Sequence, residues 1–179
     1  MIETLRSVFT ASFAQFLERE TENILNGTAE RNLCACWAPL LENSAISAGI
    51  KGYRADADYN RMQDRRVKVM LANGLEEVRI ICDLILHSRG KIPAHDNLVA
   101  IEMKRKSRPE REKAEDRLRL RTLTQLSYDG VWSADGVTLP EYVCGYTLGY
   151  YVELDIDGRA FLIEEYVEGE LVDSCNHAF

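Results

Sequence analysis

VRIICDLIL, residues 78–86, and LVAIEMKRK, residues 98–106, decide the fold. The first is rich in branched apolar residues and predicts a buried strand over 78–86. The second is apolar until its last positions and predicts a strand over 97–104. Between them, residues 88–96 carry Gly90 and Pro93, which predicts a loop. Three polar side chains interrupt these runs. Asp83 sits inside the first, where a carboxylate is costly unless it is paired or binds a cation. Glu102 and Lys104 are two residues apart, so strand periodicity puts them on one face and turns Ile101 and Met103 to the other. If the two strands are neighbours, Asp83 approaches Glu102. Two carboxylates on one small patch repel, and a divalent cation resolves the repulsion. An ammonium beside that metal can orient or deprotonate a water, or stabilise a developing oxyanion. The same residues also allow a plainer arrangement, with Asp83 on an exposed edge and Glu102 paired with Lys104.

Working outward, Ile2, Leu5, Phe9, Phe13, Phe16, Ile24 and Leu25 recur at helical spacing and predict a helix ending near Asn26-Gly27. Thr28 is placed to cap a second helix whose apolar face carries Leu33, Trp37 and Leu41, with Glu30 on that same face. Residues 53–60 alternate strictly and predict a half-buried strand, and a second short strand is expected over 67–71, before Asn73-Gly74. Ser107 and Glu110 are spaced as a capping box, with Pro109 between them, so a helix is expected over 108–126. Residues 142–156 read as a long strand, and Asp157-Gly158 as the hairpin into a last strand over 159–167. The expectation is one domain of 179 residues, α/β (α+β), with a mixed central sheet flanked by helices. An N-terminal helix over 1–27, a core over 28–167 and a C-terminal tail over 168–179 divide it.

Composition narrows the functional classes. An apolar share of 46% suits a packed globular chain and excludes a disordered or collagen-like one. About 70% of the unfolded chain's surface can be buried at this length, so no disulfide or metal staple is required. The odd cysteine count of five, the absence of a CxxC and a start lacking a basic and then apolar leader point to reduced thiols and a cytoplasmic location. No apolar stretch approaches the length of a membrane span, so no membrane partner is expected. The net charge of −7 speaks against a protein that coats nucleic acid indiscriminately. Its distribution is uneven, however. Residues 104–121 hold nine basic and four acidic side chains, a local charge of +5 against −12 elsewhere. That cationic run starts at Lys104 and continues along the predicted helix, where a phosphate backbone could follow it.

Asp83, a gap, and then Glu102-Met103-Lys104 on the next strand resemble the signature of the PD-(D/E)XK nuclease superfamily, the restriction-endonuclease-like fold. Of the six lysines, only Lys104 has an acidic residue two positions before it. The likeness extends to a group of small uncharacterised bacterial members, through Asp58-Tyr59-Asn60-Arg61, Asp83-Leu84-Ile85-Leu86-His87-Ser88-Arg89-Gly90, Asp116-Arg117-Leu118-Arg119-Leu120 and Leu123-Thr124, in order. Asp58 stands where those members usually have Glu, and Arg119 near where they often have Lys. The resemblance implies an αβββαβ core behind an N-terminal helical extension. It implies Mg²⁺ or Mn²⁺ held by Asp83, Glu102 and the Met103 carbonyl, with Lys104 positioning or activating water. Glu30 would support Lys104 or a metal-bound water from the helix before the first strand.

The function expected is a metal-dependent nuclease acting on phosphodiester bonds, in DNA in preference to RNA. Arg61, His87, Arg105, Lys106, Arg117, Arg119 and Arg121 are expected to contact the nucleic acid. A homodimer or a larger defence-type complex is the expected assembly. The rival expectation is a catalytically idle relative that keeps the fold and serves as a nucleic-acid-binding or assembly subunit.

Overall fold

Leu5, Val8, Phe9, Phe13, Phe16 and Ile24 return every three or four residues, and this stripe drives helix α1 (Ile2–Leu25) onto the core. In the computed structural model, which describes residues 1–59, 69–72, 76–79, 82–127 and 143–179, α1 packs beside α2 (Glu30–Ser47). Trp37 of α2 is fully buried, stacks on Phe16 and donates its indole N–H to Ser12 Oγ at 3.1 Å. The two helices cover one face of a mixed sheet.

The strands are β1 (Arg54–Tyr59), β2 (Val69–Ala72), β3 (Glu76–Arg79), β4 (Cys82–His87), β5 (Asn97–Arg105), β6 (Leu148–Asp155), β7 (Ala160–Val167) and β8 (Glu170–Ala178). Six of them form the main sheet in the order β1-β4-β5-β6-β7-β8, while β2 and β3 pair separately as a hairpin. All neighbours in the main sheet are antiparallel except β5 and β6, which run parallel. Parallel neighbours need a crossover, and α3 (Glu110–Thr124) lies within it on the sheet's other face. Gly149 permits close contact there, because a Cβ would stand 3.0 Å from Thr124 Cγ2. The mixed α/β expectation and the pairing of β4 with β5 are both observed.

Several local expectations are corrected. Residues 78–86 are not one strand: Val78 and Arg79 belong to the β2–β3 hairpin, and β4 begins at Cys82 in another sheet. Thr28 does not cap α2; Ala29 holds that position without a side-chain hydrogen bond, and the Thr28 carbonyl instead accepts from Arg105. The Ser107–Glu110 capping box does not form, because Pro109 is the N-cap and Glu110 turns to Lys113 Nζ at 2.6 Å. The long strand expected over 142–156 starts only at Leu148, after Gly145 takes a left-handed φ of 58°. Residues 168–179 are not a tail. Glu168 and Gly169, both with positive φ, make a two-residue turn that returns the chain as β8 along β7. Among the described residues, no helix is long and apolar enough to cross a membrane.

Candidate metal centre at the end of strands β4 and β5

The β4–β5 register pairs Leu84 with Ile101, so one further step sets Asp83 opposite Glu102. Ile101 and Met103 are buried against the α1–α2 layer, while Glu102 and Lys104 reach residues of α3 on the opposite face. Asp83 also contributes to the ladder itself. Its Oδ2 accepts the Met103 N–H at 2.9 Å, in the place of a main-chain partner. In an extended strand a residue's N–H and C=O share an edge, so the Met103 carbonyl lies on the edge that faces Asp83.

Glu102 is 1% exposed, and its Oε2 has no hydrogen-bond partner. Burial, then the charge of Asp83, push its carboxyl well above the ordinary range, although Arg119 pulls the other way. Burial also raises Asp83, although the Met103 N–H that it accepts pulls the other way. Ionised together, the two carboxylates are short of positive charge on the side where Oε2 is bare. Asp83, Glu102 and the Met103 carbonyl are all oxygen donors, the chemistry a hard divalent cation takes. Among the described residues, no three His, Cys, Asp or Glu side chains gather as a metal-holding group. The set therefore consists of two carboxylates and one main-chain oxygen.

Lys104 Nζ lies 2.9 Å from Asp116 Oδ2. Burial pulls the pKa of this amine down, but Asp116 outweighs it and holds the value above the usual lysine one. Arg119 Nη1 bridges Glu102 Oε1 at 2.9 Å and Asp116 Oδ1 at 3.0 Å. The centre is therefore a chain of alternating charge, Lys104–Asp116–Arg119–Glu102, that ends on a second carboxylate, Asp83, with most of it shielded from water. Asp116 and the inward role of Arg119 are what sequence reasoning missed. Their signal was present: residues 113, 116, 120 and 123 form one buried stripe on α3, charged in its first half and apolar in its second.

Glu30 lies on the helix before β1, as expected, but its direct bond is to Arg105 and not to Lys104. Its Oε1 accepts the Arg105 N–H at 2.8 Å, and Arg105 Nη2 donates to the Gly27 and Thr28 carbonyls at 2.5 and 2.6 Å. The pair fastens the α1–α2 turn to the end of β5. The Glu30 charge is felt at Lys104 without a direct bond.

The residues expected to grip nucleic acid are largely paired with other groups of the protein, Lys106 and Arg121 at its surface. Arg117 bonds Glu164 at 2.8 Å and lies over the Tyr151 ring, 4.1 Å from its centroid. Arg121 meets Glu170 at 3.2 Å, and Lys106 meets Asp155 at 2.7 Å. His87 is 1% exposed, with Nε2 2.8 Å from Asp56 Oδ2 and its ring against Tyr59. Arg61 lies outside the described residues. The +5 run is thus answered across the sheet by Glu102, Glu153 and Glu164, which the linear charge count could not pair with it.

Compared with known proteins, the chain matches no family model, no curated protein and no solved structure.

Proposed function

We propose that this chain is a metal-dependent phosphodiesterase of restriction-endonuclease-like fold, acting on nucleic acid and on DNA in preference to RNA. The observation that carries the reading is the meeting of Asp83 and Glu102 across β4 and β5, with Glu102 Oε2 buried and bare. The element order from α2 onward supports it: one helix, then β1, β4 and β5, then α3 and the parallel strand β6, with the β2–β3 hairpin inserted. Asp83, Glu102 and the Met103 carbonyl would hold Mg²⁺ or Mn²⁺. When bound, such an ion supplies Lewis acidity toward a phosphoryl oxygen and lowers the pKa of water.

The protein's own groups then divide the work. Lys104, kept charged by Asp116, acts as a fixed cation that orients the attacking water or stabilises charge developing on the phosphate. Arg119 holds Glu102 in place and limits repulsion between the acidic groups. Glu30 and Arg105 fix the end of β5, so that Lys104 cannot drift from Asp83. Because Lys113, Arg117 and Arg119 are paired with buried carboxylates of the sheet, substrate grip rests on a short footprint around the strand ends. This suits transient cleavage better than tight coating.

Purified protein should cleave a DNA substrate in Mn²⁺ or Mg²⁺, with Lys104→Ala inactive yet folded by circular dichroism. No cleavage of DNA or RNA in either metal would sink the catalytic reading. The rival, an idle assembly subunit, is favoured by one observation: Arg119 already neutralises one oxygen of Glu102. Nucleic-acid binding that survives Glu102→Ala, in the absence of any cleavage, would select it.

A further inference from the structure

We infer that β8 is the edge through which two copies of this chain pair, antiparallel and centred on Cys175. The two edges of the main sheet are built differently. At β1, Glu42 Oε2 takes the Ala55 N–H at 3.1 Å and Asp58 distorts the strand with a left-handed φ of 54°, so that edge is blunted. At β8, nine residues are exposed from Glu170 to Ala178, without a proline or lysine. Among the described residues no strand lies beyond it. A bare edge of this length is a template for another strand.

The hydrogen bonding already present limits the two-fold axis to Cys175, Asn176 or His177, and side-chain charge chooses among them. Phe179 donates its N–H to the Arg159 carbonyl at 3.1 Å, so residues 173, 175, 177 and 179 turn their main-chain groups toward β7. Ser174, Asn176 and Ala178 therefore turn theirs outward. The bulge leaves Val172 without a cross-strand partner, which ends the regular outward pattern there. A two-fold axis at Cys175 sets Ser174 against Asn176 of the second copy, and Asn176 against its Ser174, both with outward main-chain groups. An axis at Ser174 would form only the central pair, since Asn176 would then meet Val172 at the bulge. An axis at Asp173 would oppose like charges.

Side chains agree with the Cys175 register. Asp173 falls opposite His177 of the second copy on both sides of the axis, while Cys175 faces its own equivalent in a non-hydrogen-bonded pair, where side chains come closest. Asp173, Cys175 and His177 all line a cavity of about 490 Å³ between α1 and β8, together with Phe9, Phe13 and Glu165. In the pair the two cavities lie side by side on one face of a continuous sheet. The interface is isologous, and the same patch serves both copies. It is independent of the chemistry proposed for β4 and β5.

Sedimentation of the full chain tests the inference. A reversible dimer is expected, and Ser174→Pro should weaken it at least tenfold, because the lost N–H points away from β7. Asp173→Lys should weaken it similarly, and Asp173→Lys combined with His177→Glu should restore it, which a folding defect would not do. Under mild oxidation, the dimer should become covalent in the wild type and in Cys36→Ser, but not in Cys175→Ser. A monomer at all concentrations overturns the inference. So does a dimer indifferent to Asp173→Lys or crosslinked without Cys175.

Discussion

The two faces of the main sheet are held by different physics. Under α1 and α2 the contacts are aromatic and aliphatic: Phe9 lies 3.7 Å from Tyr150 between ring centroids, and Trp37 touches Phe9, Phe13 and Phe16. Under α3 the sheet presents Glu102, Glu153 and Glu164, answered by Lys113, Arg117 and Arg119. The first face gains stability from each buried side chain separately. The second gains little from burying charges, since desolvation offsets attraction, but it becomes costly when one partner is lost. A face that costs this much to maintain, with one carboxylate oxygen left bare, is where chemistry is expected.

The largest effect should come from the charged face acting as a catalyst. Lys104→Ala should lower the metal-dependent cleavage rate by roughly 100-fold or more, while remaining folded with a lowered melting temperature, since Asp116 loses one partner and keeps Arg119. An equal loss of stability and activity would reduce Lys104 to a structural role. On the apolar face, Trp37→Ala should cost about 3–5 kcal/mol in chemical denaturation, as large-to-small core changes do. A loss below about 1 kcal/mol would show that α2 is loosely attached. Arg119→Met should cost about 3 kcal/mol by stranding Glu102, whereas Arg119→Met with Glu102→Leu should return within about 1 kcal/mol of the wild type. If the double variant is no better than the single one, the pair is not coupled as its geometry implies.

The smallest effect concerns pH. Glu102 and Asp83 are raised by burial, so each takes up a proton more readily folded than unfolded. Their contribution to stability therefore grows as pH falls from neutral toward the ordinary carboxylate range, and levels off below it. Asp56 behaves oppositely. Burial raises it, but Arg89 and His87 together outweigh burial and hold it below its usual value. Its contribution is present above the ordinary carboxylate pKa and is lost as pH falls through the depressed one. The difference in unfolding free energy between wild type and Glu102→Gln should therefore shift in favour of the wild type on acidification, and that for Asp56→Asn against it. Parallel slopes would contradict the assignment.

The apolar face was largely legible in the sequence, because a helical stripe such as Phe9, Phe13 and Phe16 needs only local periodicity to be read. The strand pair carrying Asp83 and Glu102 was legible for the same reason. Strand β8 was not, since ELVDSCNHA is polar and its assignment rests on pairing with β7 and on the Glu168-Gly169 turn. The partners of the basic run were also hidden. Arg117 and Glu164 are 47 residues apart, and only the crossover through α3 brings them to 2.8 Å. Charges counted along the chain therefore suggested a free cationic surface, where the fold had already matched most of them.

Diffraction from crystals soaked in Mn²⁺ would show whether Asp83 and Glu102 hold a cation. An anomalous peak is expected within bonding distance of Asp83, Glu102 and the Met103 carbonyl, absent from Asp83→Asn crystals. No peak at saturating Mn²⁺, with Arg119 still seated on Glu102, would contradict cation binding and leave the α3 face as a charged structural core.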